Sequence, residues 1–302
     1  MRQIFKSKIT WIDINSPTSD DIEYLKNTFH FHPILLKELG GLSQRNQVAI
    51  FNDFLFLITH FPNWNPQEQT SVPWELDVLI SDKTIITVSY DDTYEARIEL
   101  LEKVYQNDFE KEYLTDTSKL FYFIFDHYLN FANRQISHIQ FKINDIENKI
   151  FNNHNQEVIP LLSYTKRDVL NFRRIIRYLK ADLDSLIRKC PLVLESEAKI
   201  YFEDLLANTL RIENLIDTFK DTLDSLENTN NSLIDTKINT LTRIYTILSF
   251  VTWPTLLVIS SYQMNTNYLP FIGYKFDYFI VLGIAFLPSL IIFWYLKKKH
   301  FI

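Results

Sequence analysis

Glycine and cysteine are scarce in this chain of 302 residues, and their scarcity excludes several classes of protein. There are 4 glycines, and none lies between Gly41 and Gly273. Phosphate-binding loops need glycines so that backbone amides can approach the anion, yet neither G-x-x-x-x-G-K-[ST] nor G-x-G-x-x-G occurs. The single cysteine, Cys190, excludes an internal disulfide and fits a reducing cytosol. We therefore expect no nucleotide cofactor, which argues against an ATP-driven pump and against a dinucleotide enzyme.

Catalytic motifs are missing as well. Neither H-E-x-x-H nor G-x-S-x-G occurs, and no nucleophile–base pair is visible in the sequence. We therefore expect that the protein is not an enzyme. The formal net charge of −6 argues against nucleic acid as a partner. The first fifteen or so residues lack the long apolar stretch of a secretory leader, so we expect the amino terminus to stay in the cytoplasm.

Residues 1–117 alternate between strand-like and helix-like patterns, which predicts a cytosolic domain of mixed α/β structure. The stretches WIDI, VAIFNDFLFLITHF, WELDVLISD and KTIITVSY have the composition of strands. The stretches SPTSDDIEYLKNTF, HPILLKEL and DTYEARIELLEKVYQ have the caps and periodicity of helices. A segment rich in Pro, Asn and Gln at 62–73 is predicted to be a loop between two strands.

From about Leu120 onward the pattern is helical, with three long helices predicted over 118–152, 156–189 and 195–262. The fold class predicted is an α+β cytosolic domain followed by long helices and two C-terminal membrane helices. The further divisions are a helical hairpin over 118–194, a stalk helix over 195–243, spans over 244–262 and 278–296, an extracytoplasmic loop over 263–277 and a basic tail over 297–302.

The third long helix carries a heptad seam, in which apolar and small residues recur in alternating steps of four and three. Its members are Leu205, Thr209, Ile212, Ile216, Phe219, Leu223, Leu226, Asn230, Leu233 and Lys237. We interpret the seam as an indication that subunits associate, without a fixed number. An ordinary soluble coiled coil that ends before residue 240 is the alternative. The direct continuation of the helix into an apolar segment argues against that alternative.

Two apolar segments, 244–262 and 278–296, each have close to the roughly 20 residues that a helix needs to cross a hydrocarbon core. The second segment ends in Lys297, Lys298 and Lys299, which we interpret as a topology anchor, because lysines beside a span favour the cytoplasmic side. The sequence thus predicts a multi-pass protein of the plasma or inner membrane, in contact with the lipid bilayer and with both termini in the cytoplasm.

One face of the first span is polar, although polar groups are costly in a membrane unless they face water or partners. We call this face the polar stripe. It consists of Asn239, Thr242, Thr246, Ser249, Trp253, Leu256, Ser260 and Gln263. We interpret its hydroxyl and amide residues as pore-lining and the pair Trp253 and Leu256 as a hydrophobic gate. Helix–helix packing is the alternative, since Ser and Thr hydroxyls can bond the preceding turn.

The chain resembles the CorA family of magnesium and cobalt channels over nearly its whole length. The similarity lies in WIDINSPTSDDIEYL, in HFHPILLKELGGLSQRNQVAIFNDFLFLITHFP, in YFEDLLANTLRIENLIDTFKD, in Asn239, in Pro254 and in the Tyr-x-Met-Asn of 262–265. The loop tripeptide of the family is Gly-Met-Asn, whereas this chain has Gln263, Met264 and Asn265. Glycine permits backbone conformations that glutamine adopts at a cost of about 1 kcal/mol or more.

The resemblance implies a funnel-shaped homopentamer in which the first span lines the pore and the second forms an outer ring. Gln263, Met264 and Asn265 would then form the pore mouth, and Asn239 a second ring on the cytoplasmic side. The family binds regulatory Mg²⁺ between subunits, and by motif position these ligands are Glu38 and Asp204. Mg²⁺ would thus be both the transported and the regulatory ion.

Three functional hypotheses follow from the residues and the resemblance together. The first is a passive, potential-driven channel for hydrated Mg²⁺ that also passes Co²⁺ or Ni²⁺. The second is a Zn²⁺ transporter of the same superfamily, whose loop also departs from Gly-Met-Asn. The third is a pentameric metal sensor or membrane scaffold that has lost conduction, which Gln263 favours and the polar stripe opposes.

Overall fold

The computed structural model describes residues 2–43, 45–105, 109–152, 155–194, 197–264 and 269–299. The strands are β1 (Arg2–Lys6), β2 (Thr10–Asn15), β3 (Gln47–Phe51), β4 (Phe54–Asn65), β5 (Thr70–Ile80) and β6 (Thr84–Ser89). The helices are α1 (Ser19–Phe29), α2 (Pro33–Glu38), α3 (Glu95–Val104), α4 (Phe109–Tyr113), α5 (Thr117–Phe151), α6 (Asn155–Lys189), α7 (Ala198–Tyr262) and α8 (Asp277–Lys298). The chain divides into two compact units, Met1–Glu227 and Asn228–Ile302.

The first unit is built on a six-stranded sheet with the order β1-β2-β6-β5-β4-β3. All neighbours pair antiparallel except β2 and β6, which run parallel. Strands β2 and β6 are buried over almost their whole length, because helices cover both faces of the sheet. On one face, Leu25 and Leu35 of α1 and α2 pack against Phe56 of β4. On the other, Phe61 of β4 packs against Phe125 of α5.

The predicted loop at 62–73 is wrong, because β4 and β5 continue through most of it as a long hairpin. The two prolines that suggested a loop lie opposite one another, Pro62 against Pro73. Their missing N–H groups therefore fall at a single rung, and pairing continues on both sides of it. Strand β3 pairs with β4 only as far as Ile58, so Pro62 lies where β4 has no second neighbour. The hydroxyl of Tyr94 donates to the Pro62 carbonyl at 3.2 Å.

Helices α5, α6 and α7 lie close to the three segments predicted to be helical. Local capping explains where α5 begins, because the Asp116 side chain accepts a hydrogen bond from the backbone of Lys119. Two short elements, β1 and α4, were not predicted from the sequence.

The heptad seam of α7 is buried within the single chain from Leu205 to Leu226. Ion pairs join α7 to α6 along this stretch, with 2.7 Å between Lys166 Nζ and Asp224 Oδ1 and 2.9 Å between Lys180 Nζ and Glu213 Oε2. The interpretation that the seam indicates subunit association is therefore wrong for these residues. A heptad specifies a packed seam, and here the packing partners belong to the same chain.

Candidate functional site

Two helices in the described part of the chain are long and apolar enough to cross a membrane, and they are α7 and α8. Their most apolar stretches are almost entirely unburied, with 0% of the stretch in α7 and 11% of that in α8 buried. The core helix of a soluble protein would bury its apolar residues, whereas Phe250 of α7 and Leu290 of α8 are 62% and 65% exposed. Exposed apolar surface of this extent is typical of a lipid-facing helix.

Within the last five turns of α7, the half-buried residues follow one face of the helix. They are Ile247, Val251, Pro254, Thr255, Val258 and Tyr262. This face meets α8, since the Thr255 hydroxyl contacts the Ser289 hydroxyl at 2.7 Å. We call it the α8-facing side of α7.

The polar stripe lies on the opposite side of the same helix. At 3.6 residues per turn, its centre is about 180° from the centre of the α8-facing side. All eight of its residues are exposed in the single chain. The sequence predicted the stripe, and the structure adds that α8 does not cover it.

Two hydroxyl groups of the stripe are bonded within their own helix. Thr246 Oγ1 donates to the carbonyl of Thr242 at 2.7 Å, and Ser249 Oγ donates to the carbonyl of Tyr245 at 2.9 Å. Such bonds lower the cost of a hydroxyl in hydrocarbon and leave the oxygen lone pairs free to accept from water. These contacts alone fit both a pore lining and a packed helix interface.

The two large apolar residues of the stripe flank Pro254. Trp253 is 66% exposed and Leu256 is 57% exposed. Proline lacks the N–H that would bond the carbonyl of Phe250, so the helix is weakened in the turn that ends at Pro254 and contains Trp253. The hydrophobic pair thus lies beside the point where α7 bends most readily.

At the carboxyl end of α7, the structure describes Gln263 and Met264 of the predicted pore mouth. Asn265 lies outside the described residues. The backbone N–H of Gln263 donates to the carbonyls of Ile259 and Ser260, each at 3.2 Å, as in a tightened last helical turn. Gln263 is not among the residues with positive φ. Gln263 thus does not adopt the left-handed conformation in which glycine is favoured.

Asp277 is the one carboxylate between the two spans, and it is the first residue of α8. Its Oδ1 accepts from the backbone N–H of Tyr278 at 2.7 Å, and its Oδ2 lies 3.4 Å from the N–H of Gly273. Gly273 has a φ of 97°, a conformation that favours glycine. A carboxylate at a helix amino terminus also interacts favourably with the helix dipole.

The lysines at the end of α8 lie beside aromatic rings. Lys298 Nζ is 5.3 Å from the centre of the Trp294 ring, and Lys299 Nζ is 5.5 Å from that of Tyr295. Aromatic and basic residues of this kind cluster at membrane–water interfaces. The interpretation of Lys297, Lys298 and Lys299 as a topology anchor stays a prediction.

Of the two predicted regulatory ligands, Glu38 ends α2. One of its carboxylate oxygens lies 4.0 Å from the guanidinium of Arg45. Asp204 lies in the second turn of α7 and accepts a hydrogen bond from the Tyr122 hydroxyl at 2.9 Å. Burial, together with this bond, raises the pKa of Tyr122 to about 12.

A second carboxylate near Asp204 was missed from the sequence. Burial raises the pKa of Asp126 on α5, and the negative charge of Asp204 raises it further. No local motif marks Asp126, because its neighbour comes from a distant helix. In the described ranges, no three or more His, Cys, Asp or Glu side chains are grouped so that they could hold a metal ion.

A buried polar network around Asp182 of α6 was also missed. Its Oδ2 accepts hydrogen bonds from the Asn46 amide and, at 3.0 Å, from the Thr59 hydroxyl. His60 contacts Asn46 Oδ1 at 3.0 Å and Glu75 Oε2 at 3.3 Å. Burial raises the pKa of Asp182 to about 7, against the opposing effect of these hydrogen bonds.

Comparisons with known proteins support the fold and the family. The chain is 24% identical to the cobalt/magnesium transport protein CorA of Thermotoga maritima, over 97% of this chain and 83% of the relative. It is 24% identical to the putative metal ion transporter YfjQ of Bacillus subtilis, over 96% of this chain and 89% of the relative.

Among solved structures, the complete CorA magnesium transporter of Methanocaldococcus jannaschii superposes with a TM-score of 0.83. That likeness covers 99% of this chain and 93% of the other, at 19% sequence identity. It confirms the predicted fold class of an α/β domain followed by long helices and two C-terminal apolar helices. The sequence model of the family described as CorA-like Mg²⁺ transporter protein matches residues 6–298. Because this match spans almost the whole chain, the protein belongs to the CorA-like Mg²⁺ transporter family.

Proposed function

We propose that the protein is a passive channel for hydrated divalent cations, with Mg²⁺ as the principal ion and Co²⁺ and Ni²⁺ as further ions. The observation that carries the proposal is the polar stripe of α7, which is exposed and lies opposite the side that meets α8. Helix α8 does not bury the stripe, and a lipid-facing surface would be apolar. We infer that the stripe faces water at the centre of an assembly.

A single helix cannot enclose water, so the proposal requires several copies around an axis. The family resemblance implies a homopentamer, with α7 in the inner ring and α8 in the outer ring. The opposite placement of the stripe and the α8-facing side on α7 supports this order of rings. The apolar exposed residues of α8 would then face lipid, with both termini in the cytoplasm.

The pore mouth would capture the ion through its water shell. Mg²⁺ gives up its waters reluctantly, and amide oxygens can hydrogen-bond those waters without binding the ion too tightly to release it. Rings of Gln263, Asn265 and the Met264 backbone supply such oxygens. A ring of Asn239 would do the same at the cytoplasmic side.

Between these rings, the ion would pass hydroxyl groups and one hydrophobic constriction. Thr242, Thr246, Ser249 and Ser260 would line the path. Trp253 and Leu256 would close it, because a narrow apolar segment expels water and with it a hydrated ion.

The membrane potential is sufficient to drive uptake. Moving two positive charges through 100 mV releases about 4.6 kcal/mol, at about 2.3 kcal/mol per charge. That energy favours accumulation by about 10³-fold. The proposal therefore needs neither a nucleotide nor an enzymatic activity.

Cytosolic Mg²⁺ would regulate the channel at Glu38 and Asp204, which we propose meet across subunit boundaries. Two carboxylates repel one another until a cation joins them. A fall in cytosolic Mg²⁺ would therefore loosen the ring of cytosolic domains and favour opening.

The proposal is tested by Mg²⁺ entry into proteoliposomes that contain a magnesium dye, with the potential set by a potassium gradient. We expect entry in the wild type and its loss in Asn265→Ala. Asn267→Ala removes an amide two residues away and serves as the matched control, which we expect to transport. Competition by Co²⁺, Ni²⁺ and Zn²⁺ ranks the ions, and a preference for Zn²⁺ over Mg²⁺ would contradict the proposed selectivity.

The variant Gln263→Gly distinguishes a conducting protein from a silent one. Entry in the wild type at a rate similar to that of Gln263→Gly supports conduction through the natural mouth. No entry in the wild type, but entry in Gln263→Gly, would overturn the proposal and indicate a metal-sensing protein whose pore glutamine has silenced.

A further inference from the structure

The contact between α7 and α8 centres on one hydroxyl group. Thr255 Oγ1 of α7 lies 2.7 Å from Ser289 Oγ and 3.1 Å from the carbonyl oxygen of Ala285. Each hydroxyl has one proton, so Thr255 donates to the Ala285 carbonyl while Ser289 donates to Thr255. Ala285 and Ser289 are one turn apart and are the buried residues of α8.

Other hydroxyls in this part of α7 are used differently. Thr246, Ser249, Thr252 and Ser261 each donate to a carbonyl four residues earlier in their own helix. Thr255 instead donates to the neighbouring helix. The hydrogen bond between the helices is therefore specific to Thr255 and is not made by these four other hydroxyl groups of the span.

Thr255 is also next to the weakest point of α7. Pro254 leaves the carbonyl of Phe250 without its usual helical donor, which lets the helix bend or rotate there. Trp253 and Leu256 lie on either side of Pro254 in the sequence, and both side chains face away from α8. A restraint at Thr255 thus fixes which way these two side chains point.

We propose that Thr255 is a positioning residue for the hydrophobic gate. Its hydroxyl, bonded to Ser289 and to the Ala285 carbonyl, sets the rotation of α7 at Pro254 and holds Trp253 and Leu256 on the face opposite α8. The gating role rests on the proposed channel function. Large apolar side chains held toward the axis narrow the path, so the restraint favours the closed state.

The first test uses the full-length protein in proteoliposomes, at low and at high internal Mg²⁺. The measured quantity is the closing ratio, defined as entry at low internal Mg²⁺ divided by entry at high internal Mg²⁺. We expect Thr255→Val and Ser289→Ala each to lower this ratio by about three- to tenfold, the range that corresponds to interhelical hydrogen bonds in membranes. Maximal entry at low internal Mg²⁺ stays near that of the wild type.

The controls separate the hydroxyl from the packing. Thr255→Ser keeps the hydroxyl and should preserve the closing ratio. Thr252→Val makes the same chemical change three residues earlier, where the hydroxyl bonds its own helix, and should have no effect. The double variant Thr255→Val with Ser289→Ala should be no worse than Thr255→Val alone, since that change already removes both bonds of the Thr255 hydroxyl.

A second measurement does not depend on conduction. In a Cys190→Ala background, Leu256→Cys offers a single thiol to a charged, membrane-impermeant thiol reagent. We expect Thr255→Val to change its labelling rate by about three- to tenfold, on the same energetic ground, and Thr252→Val to leave the rate unchanged. The measurement is practical because the chain has one natural cysteine, so one substitution removes all background labelling.

Two results would overturn the inference. One is that Thr255→Val behaves like Thr252→Val in both the closing ratio and the labelling rate. The other is that Thr255→Ser is as defective as Thr255→Val, which would assign the effect to packing of the methyl group. If the wild type and Thr252→Val both fail to conduct, the proposed channel function fails, while the labelling rates still decide whether Thr255 sets the rotation of α7.

Discussion

We expect Asp182 to couple the stability of the first unit, Met1–Glu227, to pH, and Asp182→Asn is the change that tests this coupling. The carboxylate is 6% exposed and accepts its hydrogen bonds from Asn46 and Thr59. An asparagine has nearly the same shape, and its carbonyl oxygen can accept both bonds. The substitution therefore removes the ionisation of this side chain and little else.

The expected magnitude follows from the difference between the folded and unfolded pKa values. Burial raises the pKa of folded Asp182 from 3.8 to about 7. Between these values the folded protein keeps the proton that the unfolded chain has lost. The free energy of unfolding of the wild type therefore falls as pH rises through this window, by about 1.4 kcal/mol per pH unit. Above pH 7 the full cost of about 4 kcal/mol is present.

The assay is thermal unfolding of the full-length protein in detergent, followed by tryptophan fluorescence at pH 5 and pH 8. Other titrating groups are common to both proteins, so the difference between wild type and Asp182→Asn isolates this carboxylate. From pH 5 to pH 8 we expect Asp182→Asn to gain about 3 kcal/mol over the wild type, which corresponds to about 5–10 °C in apparent Tm. Asp184→Asn makes the same charge change at a more exposed position and should show no such gain.

The reasoning would be refuted by an Asp182→Asn variant whose apparent Tm follows that of the wild type at both pH values. A variant that is less stable than the wild type at pH 8 would refute it more strongly. That result would mean that the ionised carboxylate stabilises the network through Asn46 and Thr59.

Further predictions concern regulation, packing and the gate. Asp204→Asn should raise the internal Mg²⁺ concentration that halves entry by at least about threefold, and Glu38→Gln should do the same, because each removes a charge from the proposed regulatory site; an unchanged half-inhibitory concentration in dye-loaded proteoliposomes would count against both. Ile216→Ala should destabilise the first unit by about 2–5 kcal/mol, since its side chain is fully buried in the seam. Leu215→Ala changes the adjacent, 41% exposed residue and should cost far less; chemical unfolding of the two variants compares them. Trp253→Ala should increase Mg²⁺ entry at high internal Mg²⁺, and a variant that closes as well as the wild type would place the gate elsewhere.

Local sequence patterns were sufficient for the elements that depend on neighbouring residues. The two apolar spans, the polar stripe and the basic end of α8 are visible because helix periodicity and membrane thickness act on consecutive residues. The long helices were found within a few residues of their bounds for the same reason. Pro62 and Pro73 led to the wrong prediction of a loop. A proline is tolerated in a strand where no further strand pairs with it, and only the sheet shows that this holds here.

The sequence by itself determined that this chain has an α/β part, a long helix with a packed seam and two apolar helices long enough to cross a membrane. It also determined that the first of these two helices has a polar face. Only the tertiary structure decided which surfaces meet. A heptad pattern indicates that one face of a helix packs against another segment, but not which segment. The structure shows that from Leu205 to Leu226 this segment belongs to the same chain. The raised pKa of Asp182 and the bond between Thr255 and Ser289 likewise depend on residues far apart in sequence. Such features arise from packing between distant segments, which no local periodicity encodes.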